Sequence, residues 1–246
     1  MIWSTIVSAA LAGAPHAVLR DLGGPLSAHG DDDRVALLVS TPCVAPEGLI
    51  PWGEALEEAG LDAWVLSFEA RNQSPEDLVL GIQEALRGFG DRDLVIAAHG
   101  YAGVLVLMAD TPARRLALVG TPLAAQVVPP MLRETAPVVA EGLPYAPELL
   151  GPVPGVPCSG QLGEAYARWA MDFPEYPVPQ QPVLVVASNI DPVAPPESVR
   201  LPSLDWPQRS WHRAGMLGVG LVDPTHGDLL TNDRIQGMVV RFLAEP

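Results

Sequence analysis

Two apolar periods alternate along this chain. Residues 35–39, 62–68, 93–98, 116–120 and 182–186 are apolar at most positions and bounded by polar or glycine-rich turns, the pattern of strands buried on both faces. Between them lie stretches with helical spacing. Residues 51–59 predict a helix with Leu56 on its core side and Gly60 at its end. Ser74, Pro75, Glu76 and Asp77 supply an N-cap, a proline at the first helical position and acids in the first turn. They open a helix to about Arg87, with Leu78, Ile82, Ala85 and Leu86 along one face. A further helix is predicted over 101–108, a strand over 210–219, and a closing helix over 235–243 with Met238, Val239 and Phe242 turned inward. Strands alternating with helices imply an α/β protein with a mostly parallel central sheet and helices on both faces.

The pattern breaks in two places. Residues 122–181 form an insertion rich in proline (Pro129, Pro130, Pro144, Pro147, Pro152, Pro154 and Pro157), interleaved with short helical stretches such as 161–171. Residues 1–33 form an N-terminal apolar segment and the approach to the domain, which the regular pattern extends over 34–246. The first fourteen residues are uncharged, and their Ala-Leu-Ala-Gly-Ala run resembles a signal-peptide cleavage region. They lack a basic flank and are too short to span a bilayer. An ordered segment that packs on the domain or on a partner is the preferred expectation. Cytoplasmic placement is favoured over periplasmic or membrane-associated placement.

The chemistry concentrates at Val95-Ile96-Ala97-Ala98-His99-Gly100-Tyr101-Ala102-Gly103, an apolar strand running into a small-residue turn and then a helix. Ala98 and Ala102 flank Gly100 two residues away on either side, where larger side chains would collide as the helix crosses the strand. Downstream, Asn189-Ile190-Asp191-Pro192 follows the apolar run 182–186, and Asp223-Pro224-Thr225-His226-Gly227-Asp228 lies before the closing helix.

These segments resemble, in order, the nucleophile elbow, acid loop and histidine loop of the α/β-hydrolase superfamily. The resemblance covers residues from about 34 to 243. It implies the α/β-hydrolase fold with residues 122–181 as a small Pro-rich cap, Asp191 as triad acid and His226 as triad base. Gly100 occupies the position of the nucleophilic serine, between His99 and Tyr101. Ser40, Thr41 and Pro42 stand where the family commonly has His-Gly and a loop donating an oxyanion-hole amide, and Pro42 has no N–H to donate. Glycine has no side chain with which to attack a carbonyl, so a covalent acyl-enzyme at position 100 is excluded.

Composition narrows the alternatives. With 246 residues and 48% apolar composition, the chain has enough material for one sizeable core. A formal charge of −15 argues against a nucleic-acid surface. All basic residues are arginine, which removes Schiff-base and lysine-base chemistry. The five histidines (His16, His29, His99, His212 and His226) show no metal-ligand spacing, so neither metal nor cofactor is expected. Cys43 falls near the expected site mouth. The ordinary reading of Cys43 and Cys158, as small buried apolar residues, is favoured over a replacement nucleophile.

Three functional readings stay open. The preferred one is a degenerate, non-catalytic relative that binds a small apolar ligand or a protein partner through the cap or N-terminal segment. The resemblance supports it, because cholinesterase-like adhesion proteins also lack the serine. The second is a nucleophile-free lyase, isomerase or water-mediated hydrolase in which Asp191 and His226 form a general base pair. The third is an esterase inactivated by substitution. With the nucleophile missing, Asp191 before Pro192 reads equally as a turn initiator and His226 as a solvated turn histidine.

Overall fold

The computed structural model describes residues 8–11, 14–21, 33–39, 46–68, 75–124, 174–189, 191, 194, 196–200, 203–214 and 227–246. Their strands are β1 (Ser8–Leu11), β2 (Ala14–Asp21), β3 (Arg34–Val39), β4 (Asp62–Phe68), β5 (Asp93–His99), β6 (Arg115–Val119), β7 (Val183–Ser188) and β8 (Arg209–Ala214). They form one sheet in the order β1-β2-β4-β3-β5-β6-β7-β8. From β4 through β8 each neighbouring pair is parallel, whereas β2 runs antiparallel to both β1 and β4. The sheet therefore begins before residue 34: the apolar N-terminal segment supplies two strands at one edge. Of the strand expected over 210–219, residues 215–219 lie outside the described residues, as does most of the expected cap.

Helices cover both faces because the inner strands are apolar at consecutive positions and have two faces to hide. Val35, Leu37, Ile96, Leu116, Leu118 and Val185 point to one side and pack with α2 (Pro75–Phe89), α3 (Tyr101–Met108) and α4 (Pro196–Arg200). Ala36, Leu38, Val95, Ala117 and Val186 point to the other. There they meet α1 (Ile50–Glu58), α5 (Asp228–Thr231) and α6 (Asp233–Ala244). This is the period-two alternation of a pleated strand, with both faces apolar. Leu78, Ile82, Ala85 and Leu86 of α2 are buried as their spacing requires. In α6, Ile235, Val239 and Leu243 are buried, and Met238 and Phe242 pack partly buried against the same cluster.

Local chemistry sets the helix ends. Gly60, just past α1, has φ +79, a left-handed conformation that glycine adopts without Cβ strain. The Asn232 side chain caps α6 by accepting from the N–H groups of Arg234 and Ile235 at 3.1 and 3.2 Å. On the same face the Trp52 indole N–H donates to the Leu230 carbonyl at 2.6 Å, joining α1 to α5.

Candidate functional site

β5 lies between β3 and β6, and its C-terminal end delivers the turn into α3. Gly100 sits on that turn with φ +60 and ψ −139, a region close to the one reserved in practice for glycine. The backbone around it is fixed from both sides. The Gly100 N–H donates to the Val119 carbonyl of β6 at 2.9 Å, and its own carbonyl accepts from the Gly103 N–H at 3.1 Å. The strand-turn-helix bend expected from the sequence is thus present, with no side chain at its apex.

The residues beside the apex are small because the packing leaves no room. Ala98 and Ala102 are buried, and α3 is buried along most of its length, lying over the sheet instead of exposing a polar face. Gly103 answers to a different constraint. A Cβ there would fall 2.1 Å from the Thr121 Oγ1 and 2.6 Å from its Cγ2, so α3 and the segment leaving β6 approach more closely than any side chain at 103 permits. Sequence reasoning did not single out Thr121. Its only signal is its place two residues beyond a buried strand. The residue is fully buried, and its hydroxyl has no hydrogen-bond partner among the described residues.

Asp191 follows β7 and is buried, with 2% of its surface exposed. Its Oδ1 accepts the Ala194 N–H at 2.9 Å, which fixes the carboxylate within its own loop. Tyr101 is buried beside Gly100. Burial first, and then the Asp191 charge, push its phenol well above the ordinary value of 10.0. Asp191 and the bend are therefore neighbours at the C-terminal ends of the strands, with the end of β6 between them. His99 is buried on the strand below the bend. His226, Ser40 and Thr41, together with Cys43 and Cys158, lie outside the described residues.

Two cavities bear on what this region holds. Beneath the bend, His99, Trp52, Leu38, Ala98 and Leu230 border a void of about 10 Å³, the space of roughly one water. A larger groove of about 220 Å³ lies at the far end of α3, between Leu107, Asp110, Thr111, Leu116 and Val178. It stands by the start of β6 and so is separate from the bend. Among the described residues no three His, Cys, Asp or Glu side chains gather as a metal site. No helix among them is long and apolar enough to cross a membrane.

No protein-family profile matches the chain, and no curated protein matches it in sequence. Solved structures do match in shape. A monoacylglycerol lipase of Paleococcus ferrophilus superposes with a TM-score of 0.64 at 16% identity, over 87% of this chain and 95% of its own. A proline iminopeptidase-related protein of Thermus thermophilus gives 0.64 at 15% identity, over 98% of both chains. An alpha/beta hydrolase fold protein of Chitinophaga pinensis gives 0.65 at 13% identity, over 97% of this chain and 98% of its own. At such identities the likeness speaks for architecture alone, and together with the sheet order and the bend at Gly100 it establishes that this chain has the α/β-hydrolase fold.

Proposed function

We propose that this protein is a degenerate α/β-hydrolase-like protein that has given up acyl-transfer chemistry and serves in binding, with a small apolar ligand or a protein partner as its target. One observation carries the reading: the residue at the apex of the bend is Gly100, held at φ +60 by bonds to Val119 and Gly103, and it offers no attacking oxygen. A working serine hydrolase depends on that atom, and removing it costs orders of magnitude in turnover. The framework around the vacancy supports a retained binding role, since Ala98, Ala102 and Gly103 still shape a bend and Asp191 is still buried beside it.

A fluorophosphonate probe tests this directly. The expected result is no labelling of the purified chain and no turnover of short-chain chromogenic esters. Labelling at any serine or cysteine near the bend would reinstate an ordinary hydrolase. Gly100→Ser examines the rest of the machinery, because ester hydrolysis gained by that variant means that the base and the oxyanion donors are still in place.

A second reading is favoured by Asp191 itself. A carboxylate kept buried beside the bend suits an acid that orients a base, and with His226 it would serve lyase, isomerase or water-mediated chemistry. That reading requires catalysis by the unaltered chain that His226→Ala abolishes, whereas the binding reading requires ligand retention without turnover.

A further inference from the structure

We infer that Tyr176 is a positioning residue for Asp191, acting through Leu123 and α4. Leu123 lies just beyond the end of β6 and Tyr176 lies ahead of β7, so two segments far apart in sequence meet here. The Tyr176 hydroxyl donates to the Leu123 carbonyl at 2.7 Å. Leu123 in turn donates its N–H to the Ser198 carbonyl of α4 at 3.0 Å. One peptide unit on each side of Leu123 thus links the segment around Tyr176 to α4.

A second route reaches the same helix. The Tyr176 ring stands edge-on to Trp206, with centroids 6.5 Å apart. The Trp206 N–H donates to the Ser203 carbonyl at 3.3 Å, and the Ser203 hydroxyl donates to the carbonyls of Val199 and Arg200 at 3.1 and 3.0 Å. Both routes therefore end on consecutive residues of α4, Ser198 to Arg200. That helix begins at Pro196, close after Asp191, whose carboxylate is itself bound to the Ala194 N–H. Ala194 and Val199 are fully buried in the same apolar cluster as Leu123 and Trp206, so this loop has packed neighbours to push against. Burial raises the Tyr176 phenol above its ordinary range, and it stays a neutral donor throughout the physiological window. A displacement of the segment around Tyr176 is accordingly transmitted to the acid loop, whatever the site binds.

Amide hydrogen exchange on the full-length chain tests the coupling without any ligand. Tyr176→Phe keeps the ring and deletes the hydroxyl. Exchange is expected to rise about fivefold in peptides containing Leu123 and in those spanning residues 191–200, the loss of one ordinary hydrogen bond from local opening, while residues 93–108 keep their wild-type rates. Trp206→Leu removes the second route and speeds the same peptides. A ¹³C NMR readout of the Asp191 carboxyl should also shift in Tyr176→Phe, which a change in stability alone would not produce. Faster exchange confined to residues near 176, a uniform rise across the molecule, or an unmoved Asp191 resonance would each overturn the inference. None of these outcomes depends on whether the protein is catalytic, so failure here leaves the binding proposal standing.

Discussion

Gly103 and Thr121 are in contact so close that the helix after the bend can carry no side chain at its third residue: a Cβ on Gly103 would meet the threonine Oγ1 at 2.1 Å and its Cβ at 2.9 Å. The glycine is required by packing against the end of β6, not by its own backbone angle. Gly103→Ala should therefore destabilise the fold by about 1–3 kcal/mol, the usual range for overpacking a core. Adding Thr121→Ala removes Oγ1 and Cγ2 but leaves Cβ, so the double variant should recover part of the loss and not all of it. Urea unfolding of the four proteins in a double-mutant cycle measures the coupling. A neutral Gly103→Ala would show that the two segments lie further apart.

Gly100 is constrained by conformation. Any other residue there must hold φ +60 and ψ −139, at a cost of about 1–3 kcal/mol. Gly100→Ala should lose that much in urea or thermal unfolding, and Gly100→Ser a similar amount whether or not it gains activity. A position free of both constraints provides the control. Gly88 is an exposed residue of α2, and a Cβ there meets nothing within 4 Å, so Gly88→Ala should stabilise the protein by up to about 1 kcal/mol. If alanine is tolerated equally at 88 and 100, the bend does not impose the strain assigned to it.

The inner strands and main helices were legible because each carries its own signal. β4 at 62–68 and α3 at 101–108 match their expected spans, since a strand buried on both faces is apolar at nearly every position and Tyr101 to Met108 is an unbroken helical run of apolar residues. The edge strands were not legible. Ser8–Leu11 is short and built of small residues, and the partner of β2 is β4, beyond an intervening strand in sequence, so no local pattern reveals the pairing. Thr121 escaped for a similar reason: its significance lies in contact with Gly103, which no periodicity connects to it. Asp191 was legible as a residue type in a loop, and its bond to the Ala194 N–H is also the geometry of a turn-initiating aspartate, so the two readings of that residue share one conformation.

The closing helix tests whether caps matter where packing is already extensive. Asn232 supplies the side-chain acceptor for two N–H groups at the start of α6, while Ile235, Val239 and Leu243 anchor the helix to the sheet. Asn232→Ala should cost about 1 kcal/mol, and Asn232→Asp or Asn232→Ser should retain most of the stability because each keeps an oxygen within reach. Denaturant midpoints for the three variants decide it. An Asn232→Ala protein as stable as wild type would mean that water replaces the cap without loss.

Tyr101 gives the bend an alkaline signature. In the folded protein burial, and then the Asp191 charge, hold its phenol above the ordinary value of 10.0, whereas in the unfolded chain it ionises near that value. Below about pH 9 both states keep the proton and the phenol adds no pH dependence. As pH rises past 10 the unfolded chain releases its proton first, so folding loses stability by about 1 kcal/mol per pH unit for this one group. Tyr176, raised by burial alone, contributes in the same direction. Tyr101→Phe should therefore flatten part of the decline in urea midpoint between pH 9 and 11. Asp191→Asn should flatten less of it, because burial is the larger cause. Equal slopes in wild type and Tyr101→Phe would mean that the phenol is not buried in the folded protein, and equal slopes in wild type and Asp191→Asn would mean that the acid's charge does not reach it.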